Sequence, residues 1–158
     1  MRSKTAKTRQ TLPDEKYKST RIAKLINLSM YDGKKSVAQK QIYDALELLE
    51  KKFNKKGTEV FDEVIQKVMP QMEVRSRRVG GAAYQVPMPV RGRRGFSLAV
   101  RWLIESARGR SNSTYHTFAE KFVAELEAAL NNEGGAIEKR NTSHRMADAN
   151  RAFAHFRW

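Results

Sequence analysis

The stretch MEVRSRRVGGAAYQVPMPV, residues Met72 to Val90, decides the fold, because the apolar pattern changes there from helical to extended. Two β-prone runs flank Gly80-Gly81, a dipeptide typical of a two-residue hairpin turn. Pro87 and Pro89 cannot donate to a strand ladder, so the second run is predicted to be an edge strand. A lone hairpin is marginal in water unless it packs on something or is held by a ligand. The sequence therefore predicts a single β-hairpin that projects from a larger body.

On both sides of the hairpin, apolar residues recur at the 3.6-residue period of amphipathic helices. The predicted helices run from Arg21 to Tyr31, from a cap at Ser36 to about Phe53, from a cap at Thr58 to just before Pro70, from Gly92 to Gly109, from a cap at Ser113 or Thr114 to Leu130, and from about Ala136 to Asn150. The predicted fold class is mainly α, with about six helices around a single core and one protruding β-hairpin.

Three segments are predicted along the chain. Residues 1–18 hold six basic residues and little that a core would bury, which predicts a flexible basic arm. Two interpretations of the arm stay open: a terminus without a role, and an arm that orders against phosphates. Residues 19–150 form the helical domain with its hairpin at 72–90, and residues 151–158 form an aromatic and basic tail. That tail either docks on its own protein or stacks on RNA.

Composition restricts the classes of function. The 158 residues carry a formal net charge of +14, more than solubility needs, which predicts attraction to polyanions. The absence of cysteine excludes disulfides and thiolate ligands and fits a reducing compartment. No apolar run approaches the ~20 residues that span a bilayer. No apolar stretch follows the basic N-terminus, and Pro13-Asp14-Glu15 argues against a transit helix there, so we expect a cytoplasmic protein without membrane association.

Arginine is concentrated at and after the hairpin. Between Arg75 and Arg110 there are nine arginines, no lysine and one carboxylate, Glu105. Guanidinium groups grip phosphate bidentately and stack on bases, which ammonium groups cannot do. So many arginines with so few anions repel one another in a free protein, so the pattern predicts a nucleic-acid partner.

Strand alternation places Arg75 and Arg77 on one face of the hairpin and Arg78 on the other. Tyr84, near the glycine turn, is a candidate for stacking on an exposed base. The alternative interpretation is a solvated edge strand that is protected by charge.

In the helix after the hairpin, Arg94, Arg101 and Arg108 recur every seven residues and line one side. A stripe of this kind suits a helix that lies on a phosphate backbone. The alternative is ion pairing with neighbouring helices, for which Glu120, Glu125 and Glu127 are the candidate partners.

No pattern in the sequence indicates catalysis. His116, His144 and His155 have no metal-ligand spacing, and phosphate-binding glycine loops are missing. The carboxylates cluster on helix surfaces away from the arginines, whereas a metal nuclease needs them together. We therefore predict no catalytic residue, no metal site, no cofactor and no enzymatic activity.

Several runs of the sequence form longer motifs: Lys24–Asn27, Asp32–Lys35, Val74–Ala82, Tyr84–Pro87, Arg101–Leu103, His144–Ala147 and Ala149–His155. Together these runs resemble the bacterial-type small-subunit ribosomal protein seven family. The resemblance implies six helices with a protruding hairpin, and a primary binder of small-subunit rRNA that nucleates head assembly. It also implies a position near the exit-site tRNA and the mRNA path, beside ribosomal proteins nine and eleven. The location would be the ribosome, with an organelle-encoded ribosome left open.

Matching motifs assign rRNA or tRNA contacts to the hairpin arginines and glycines, to the basic loop at Lys34 and Lys35, and to the arginine helix. The complete set of predicted RNA-binding residues is Arg2, Lys4, Lys7, Arg9, Lys34, Lys35, Arg75, Arg77, Arg78, Gly80, Gly81, Tyr84, Arg91, Arg93, Arg94, Arg101, Arg108, Arg110, Arg145, Arg151, His155 and Arg157. The alternative function is a DNA-architectural protein whose arginine-rich β-arm inserts into a minor groove.

Overall fold

The computed structural model describes residues 10–157. Its elements, in chain order, are α1 Thr20–Ser29, α2 Lys35–Phe53, α3 Gly57–Val68, β1 Met72–Val79, β2 Ala82–Pro89, α4 Gly92–Gly109, α5 Phe118–Leu130, α6 Gly135–Ala149 and a 3-10 helix Arg151–Phe156. This order confirms the predicted fold class, mainly α with one β-hairpin.

The apolar stripes of all six α-helices meet in one core. The helix α5 lies at its centre and packs against α2, α3, α4 and α6. On α4, the face that the sequence predicted is buried at Phe96, Val100 and Leu103. Because that face points inward, the arginines on the rest of α4 are left at the surface.

The hairpin stands free at its tip and is anchored at its base. β1 and β2 pair antiparallel, with Val79 opposite Ala82. Gly80 and Gly81 form the turn with φ of +58° and +88°, and a Cβ added to either would meet nothing within 4 Å. At the other end, the Ser143 hydroxyl of α6 donates to the Met72 carbonyl at 3.0 Å. Both strands contact α6, and β2 also contacts the 3-10 helix.

Three predicted helix caps are wrong. Ser36 and Thr58 do not cap α2 and α3, whose N-cap positions are Lys34 and Lys56 without a capping side chain. For α3, the Glu50 carboxylate of α2 accepts from the Gly57 N–H at 3.1 Å instead. This substitute cap depends on close packing, since a Cβ at Gly57 would lie 2.6 Å from the Leu46 carbonyl oxygen.

The third cap lies later than predicted. α5 begins after Thr117, whose side chain accepts from the Glu120 N–H while the Glu120 side chain accepts from the Thr117 N–H. Ser113 and Thr114, the predicted caps, have no acid or amide three residues on. The complete capping box therefore fixes the helix start.

Within the predicted arm, the segment from Asp14 onward belongs to the folded body. The Asp14 carboxylate is buried and accepts from the backbone N–H of Lys16 and Tyr17 and from the Tyr43 hydroxyl of α2, the last at 2.8 Å. The arm residues 1–9 lie outside the described residues.

Candidate nucleic-acid interface

Among the predicted arginines of the hairpin and of α4, four are exposed and unpaired. They are Arg78 near the tip of the hairpin, Arg91 and Arg93 at the start of α4, and Arg101 further along that helix. In residues 10–157 their side chains have no hydrogen bond and no ion pair. The first turn of α4 holds no acidic residue, so the positive end of the helix dipole adds to the charges of Arg91 and Arg93. The arrangement is a positive surface without internal neutralisation.

The arginines of the hairpin and of α4 are joined through Glu73, which the sequence analysis did not single out. This carboxylate has a side chain only 10% exposed, and it receives Arg75 Nε at 2.6 Å and Arg94 Nε at 3.2 Å. The prediction of an almost unneutralised arginine field is therefore wrong for these two residues. Because it bonds to both arginines, the Glu73 carboxylate holds the base of the hairpin against the start of α4.

Two further arginines form hydrogen bonds that hold elements of the protein together. Arg110, directly after α4, donates from Nε to Glu125 at 2.9 Å. The ion pairing considered for Arg94, Arg101 and Arg108 is different, since within residues 10–157 none of the three bonds to Glu120, Glu125 or Glu127. Arg108 Nη2 donates to the Ser29 carbonyl at 2.8 Å, and its guanidinium lies 3.8 Å from the ring centre of Tyr31. The stripe of arginines on α4 is thus divided between surface and structural tasks.

The C-terminal tail packs on the hairpin. The Tyr84 ring centre lies 5.3 Å from that of Phe153 and 5.2 Å from that of Phe156. The aromatic contact predicted for Tyr84 with a base is therefore occupied by the tail in this structure. Arg151, His155 and Arg157 of the tail are exposed, so the tail brings two guanidinium groups next to the hairpin.

The basic loop between α1 and α2 exposes Lys34 and Lys35, next to the left-handed residues Asp32 and Gly33. On α6, Arg145 is exposed and bonds only to Thr142, at 3.4 Å. Arg2, Lys4, Lys7 and Arg9 lie outside the described residues. The predicted set is therefore spread over a loop, the hairpin, α4 and the C-terminal segment.

Lysines differ from arginines in their surroundings. Three lysines at the end of α2 and in the loop after it lie against carboxylates: Lys52–Glu127 at 2.9 Å, Lys55–Glu63 at 3.5 Å and Lys56–Glu59 at 3.7 Å. The single carboxylate of the arginine-rich region, Glu105, pairs with Lys139 rather than with an arginine. The charges of these four lysines are thus matched by carboxylates, unlike those of Arg78, Arg91, Arg93 and Arg101.

The described part of the chain offers no group of three or more metal-ligating side chains. Within the same residues, no helix combines the length and apolar character that crossing a bilayer requires.

Comparison with known proteins relates the chain to ribosomal proteins along nearly all of its length. The family model described as "Ribosomal protein S7p/S5e" matches residues 1–151. The small ribosomal subunit protein uS7 of Caldanaerobacter subterraneus subsp. tengcongensis is 52% identical over 150 residues, which cover 95% of this chain and 94% of that protein. Proteins of the same name from Thermotoga neapolitana and Methylocella silvestris are 49% identical over 158 residues and 48% over 157, covering 100% and 99% of both chains.

These matches show the class of protein: the chain is a structural protein of the ribosome and not an enzyme. At this identity and coverage the chain belongs to the ribosomal protein S7p/S5e family. The resemblance noted in the sequence is therefore confirmed.

Proposed function

We propose that this protein is a structural component of the small ribosomal subunit and binds the rRNA of that subunit through arginines of the hairpin tip and of α4. Family membership supports the ribosomal role. The observation that carries the mode of binding is the set of exposed, unpaired arginines at Arg78, Arg91, Arg93 and Arg101. Removing guanidinium groups from water next to one another is unfavourable. A phosphate group stabilises each of them, because its oxygens accept two hydrogen bonds from the same guanidinium.

The rest of the predicted contact set belongs to this proposal. Lys34 and Lys35, beside the loop before α2, are further contacts of this surface. The basic arm residues Arg2, Lys4, Lys7 and Arg9 are contacts as well. We further propose that the protein is a primary rRNA binder that nucleates head assembly, beside ribosomal proteins nine and eleven. Eight-residue strands give the hairpin a reach of about 25 Å, which supports a position of its tip near the exit-site tRNA and the mRNA path.

The DNA-architectural alternative is disfavoured by where the prolines lie. A minor-groove arm wedges apolar side chains or proline between base steps. Here Pro87 and Pro89 pair with Val74 and Met72 at the base of the hairpin, and the tip is Gly80-Gly81. The tip therefore carries no wedge.

The test compares the rRNA binding of a variant that lacks three unpaired arginines with that of a variant that lacks three paired lysines. We expect the triple variant Arg78→Gln/Arg93→Gln/Arg101→Gln to weaken binding to a small-subunit rRNA transcript by about tenfold or more, because each change removes a phosphate contact. The control variant Lys52→Gln/Lys55→Gln/Lys56→Gln loses the same formal charge, but each of its lysines already faces a carboxylate. Filter binding at fixed salt measures both, and duplex DNA of equal length serves as competitor.

An equal loss in the two variants would mean that only net charge matters and would contradict the proposed interface. Equal affinity of the unmodified protein for duplex DNA and for rRNA would favour the architectural alternative.

A further inference from the structure

A second recognition feature lies beside the basic loop, where α1, α2, α4 and α5 meet. A cavity of about 370 Å³ opens there, with apolar walls from Met30, Val37 and Phe118 and with Tyr31 and Arg108 at its side. This volume is within the range of sites that hold small molecules. The phosphate contacts described above do not explain such a cavity.

Tyr31 is unusual in its exposure. It is 63% exposed, and its neighbour in the cavity Val37 is 59% exposed, although large apolar side chains of the described chain are mostly buried. The guanidinium of Arg108 lies 3.8 Å from the centre of the Tyr31 ring, and the Ser29 carbonyl holds that guanidinium at 2.8 Å. The ring is therefore supported by a fixed planar cation and remains open to a ligand.

The charges around the cavity select an anionic ligand. Lys34 and Arg108 line it, and no carboxylate does. Gln41 also lines it, and its side-chain oxygen accepts from the Ala119 N–H at 3.2 Å. Because that bond fixes the amide, the Gln41 NH₂ group is available as a hydrogen-bond donor.

We infer that this cavity receives one unpaired nucleobase of the bound RNA, stacked on Tyr31. Lys34 contacts a phosphate of that nucleotide, and the Gln41 amide donates to an acceptor on the base edge. Unpaired bases are recognised in this way, by stacking on aromatic side chains together with polar contacts to their edges. The inference rests on the proposed rRNA binding and adds to it a site for a base rather than for the backbone.

The test uses two substitutions at Tyr31 and the small-subunit rRNA transcript as the probe. Tyr31→Leu keeps apolar bulk but removes the aromatic plane, and we expect it to bind about 5- to 100-fold more weakly. Tyr31→Phe keeps the plane and is the matched control, expected within about twofold of the unmodified protein, since stacking needs no hydroxyl. Circular dichroism of both variants should stay unchanged because the side chain is largely exposed.

The base itself is located by ultraviolet crosslinking of the unmodified complex, in which Tyr31 should join to one nucleotide. An abasic residue at that nucleotide should reproduce the loss seen with Tyr31→Leu, and the two changes together should lose no more than either alone. Equal binding by Tyr31→Leu, or crosslinking of Tyr31 to a protein in assembled subunits, would overturn the cavity assignment alone. Failure of the unmodified protein to bind the transcript would overturn the proposed function as well.

Discussion

The buried carboxylate of Glu125 connects three helices. One oxygen accepts from Arg110 at the end of α4, with Nη2 at 2.8 Å, and the other accepts from the Ala136 N–H in the first turn of α6 at 3.0 Å. Glu125 itself is on α5 and only 2% exposed. A Cβ at Gly134 would lie 3.0 Å from its oxygen, so the glycine there permits this close approach.

We expect Glu125→Ala to lower the free energy of unfolding by about 3–5 kcal/mol, because it leaves the Arg110 guanidinium largely buried without its anion. Glu127→Ala, two residues further along α5, removes an exposed pair with Lys52 and should cost less than about 1 kcal/mol. Urea titration followed by circular dichroism measures both. Similar, small losses in the two variants would contradict the structural task assigned to Glu125.

At the scale of elements, the sequence predicted correctly the features that depend on residues close to one another in the chain. The bounds of α4 and the two-glycine turn were predicted correctly, because helical periodicity and turn residues are encoded within a few positions. The start of α3 was missed because its first N–H depends on packing, where Glu50 of α2 accepts from Gly57. The start of α2 was missed because a turn of the preceding loop satisfies its first N–H, with the Lys35 N–H donating to the Gly33 carbonyl at 2.8 Å. For α5 the sequence contains the capping box of Thr117 and Glu120. The prediction placed the cap at Ser113 or Thr114 instead, because these residues come first in the chain and are also common helix caps.

We expect Thr117→Ala to destabilise the protein by about 1 kcal/mol, because it removes the side-chain cap of α5. Thr114→Ala is the matched control, since Thr114 is exposed and caps no helix in the structure. Thermal unfolding compares the two variants. A larger loss from Thr114→Ala would place the cap where the sequence first suggested it.

The same cap contributes a pH dependence. Hydrogen bonds from the backbone N–H of His116, and then of Thr117, lower the pKa of Glu120 below its ordinary value of 4.5. The ionised carboxylate therefore stabilises the fold at pH values above 4.5, and this contribution disappears as the pH falls through the lowered pKa. In Glu120→Gln, stability should decline less steeply with acid over that range; an unchanged slope would contradict the hydrogen-bonded carboxylate.

At the scale of the whole molecule, the sequence predicted the arginine-rich surface but not which arginines remain available. Charge density is local information, so the nine arginines from Arg75 to Arg110 were found directly as a group. The partners that engage some of them come from distant segments. Ser29 is 79 residues from Arg108, and Tyr84 meets Phe153 only after the tail folds back. Glu73 was nearer, two residues before Arg75 on the same strand face, and alternation alone would have indicated it.

The number of cations that lack an anion on the proposed interface predicts how binding responds to salt. Counting the four unpaired arginines of the hairpin and α4 with Lys34 and Lys35 gives roughly six phosphate contacts, so affinity for rRNA should fall about 10³-fold between 50 and 200 mM salt. The triple arginine variant should show a slope of log affinity against log salt that is smaller by about three, since each lost contact releases about one counterion fewer. Tyr31→Leu should instead give a weaker line parallel to that of the unmodified protein, because stacking releases no counterion. A flat salt response of the unmodified protein would contradict phosphate-led binding, and a reduced slope for Tyr31→Leu would make its contact ionic rather than aromatic.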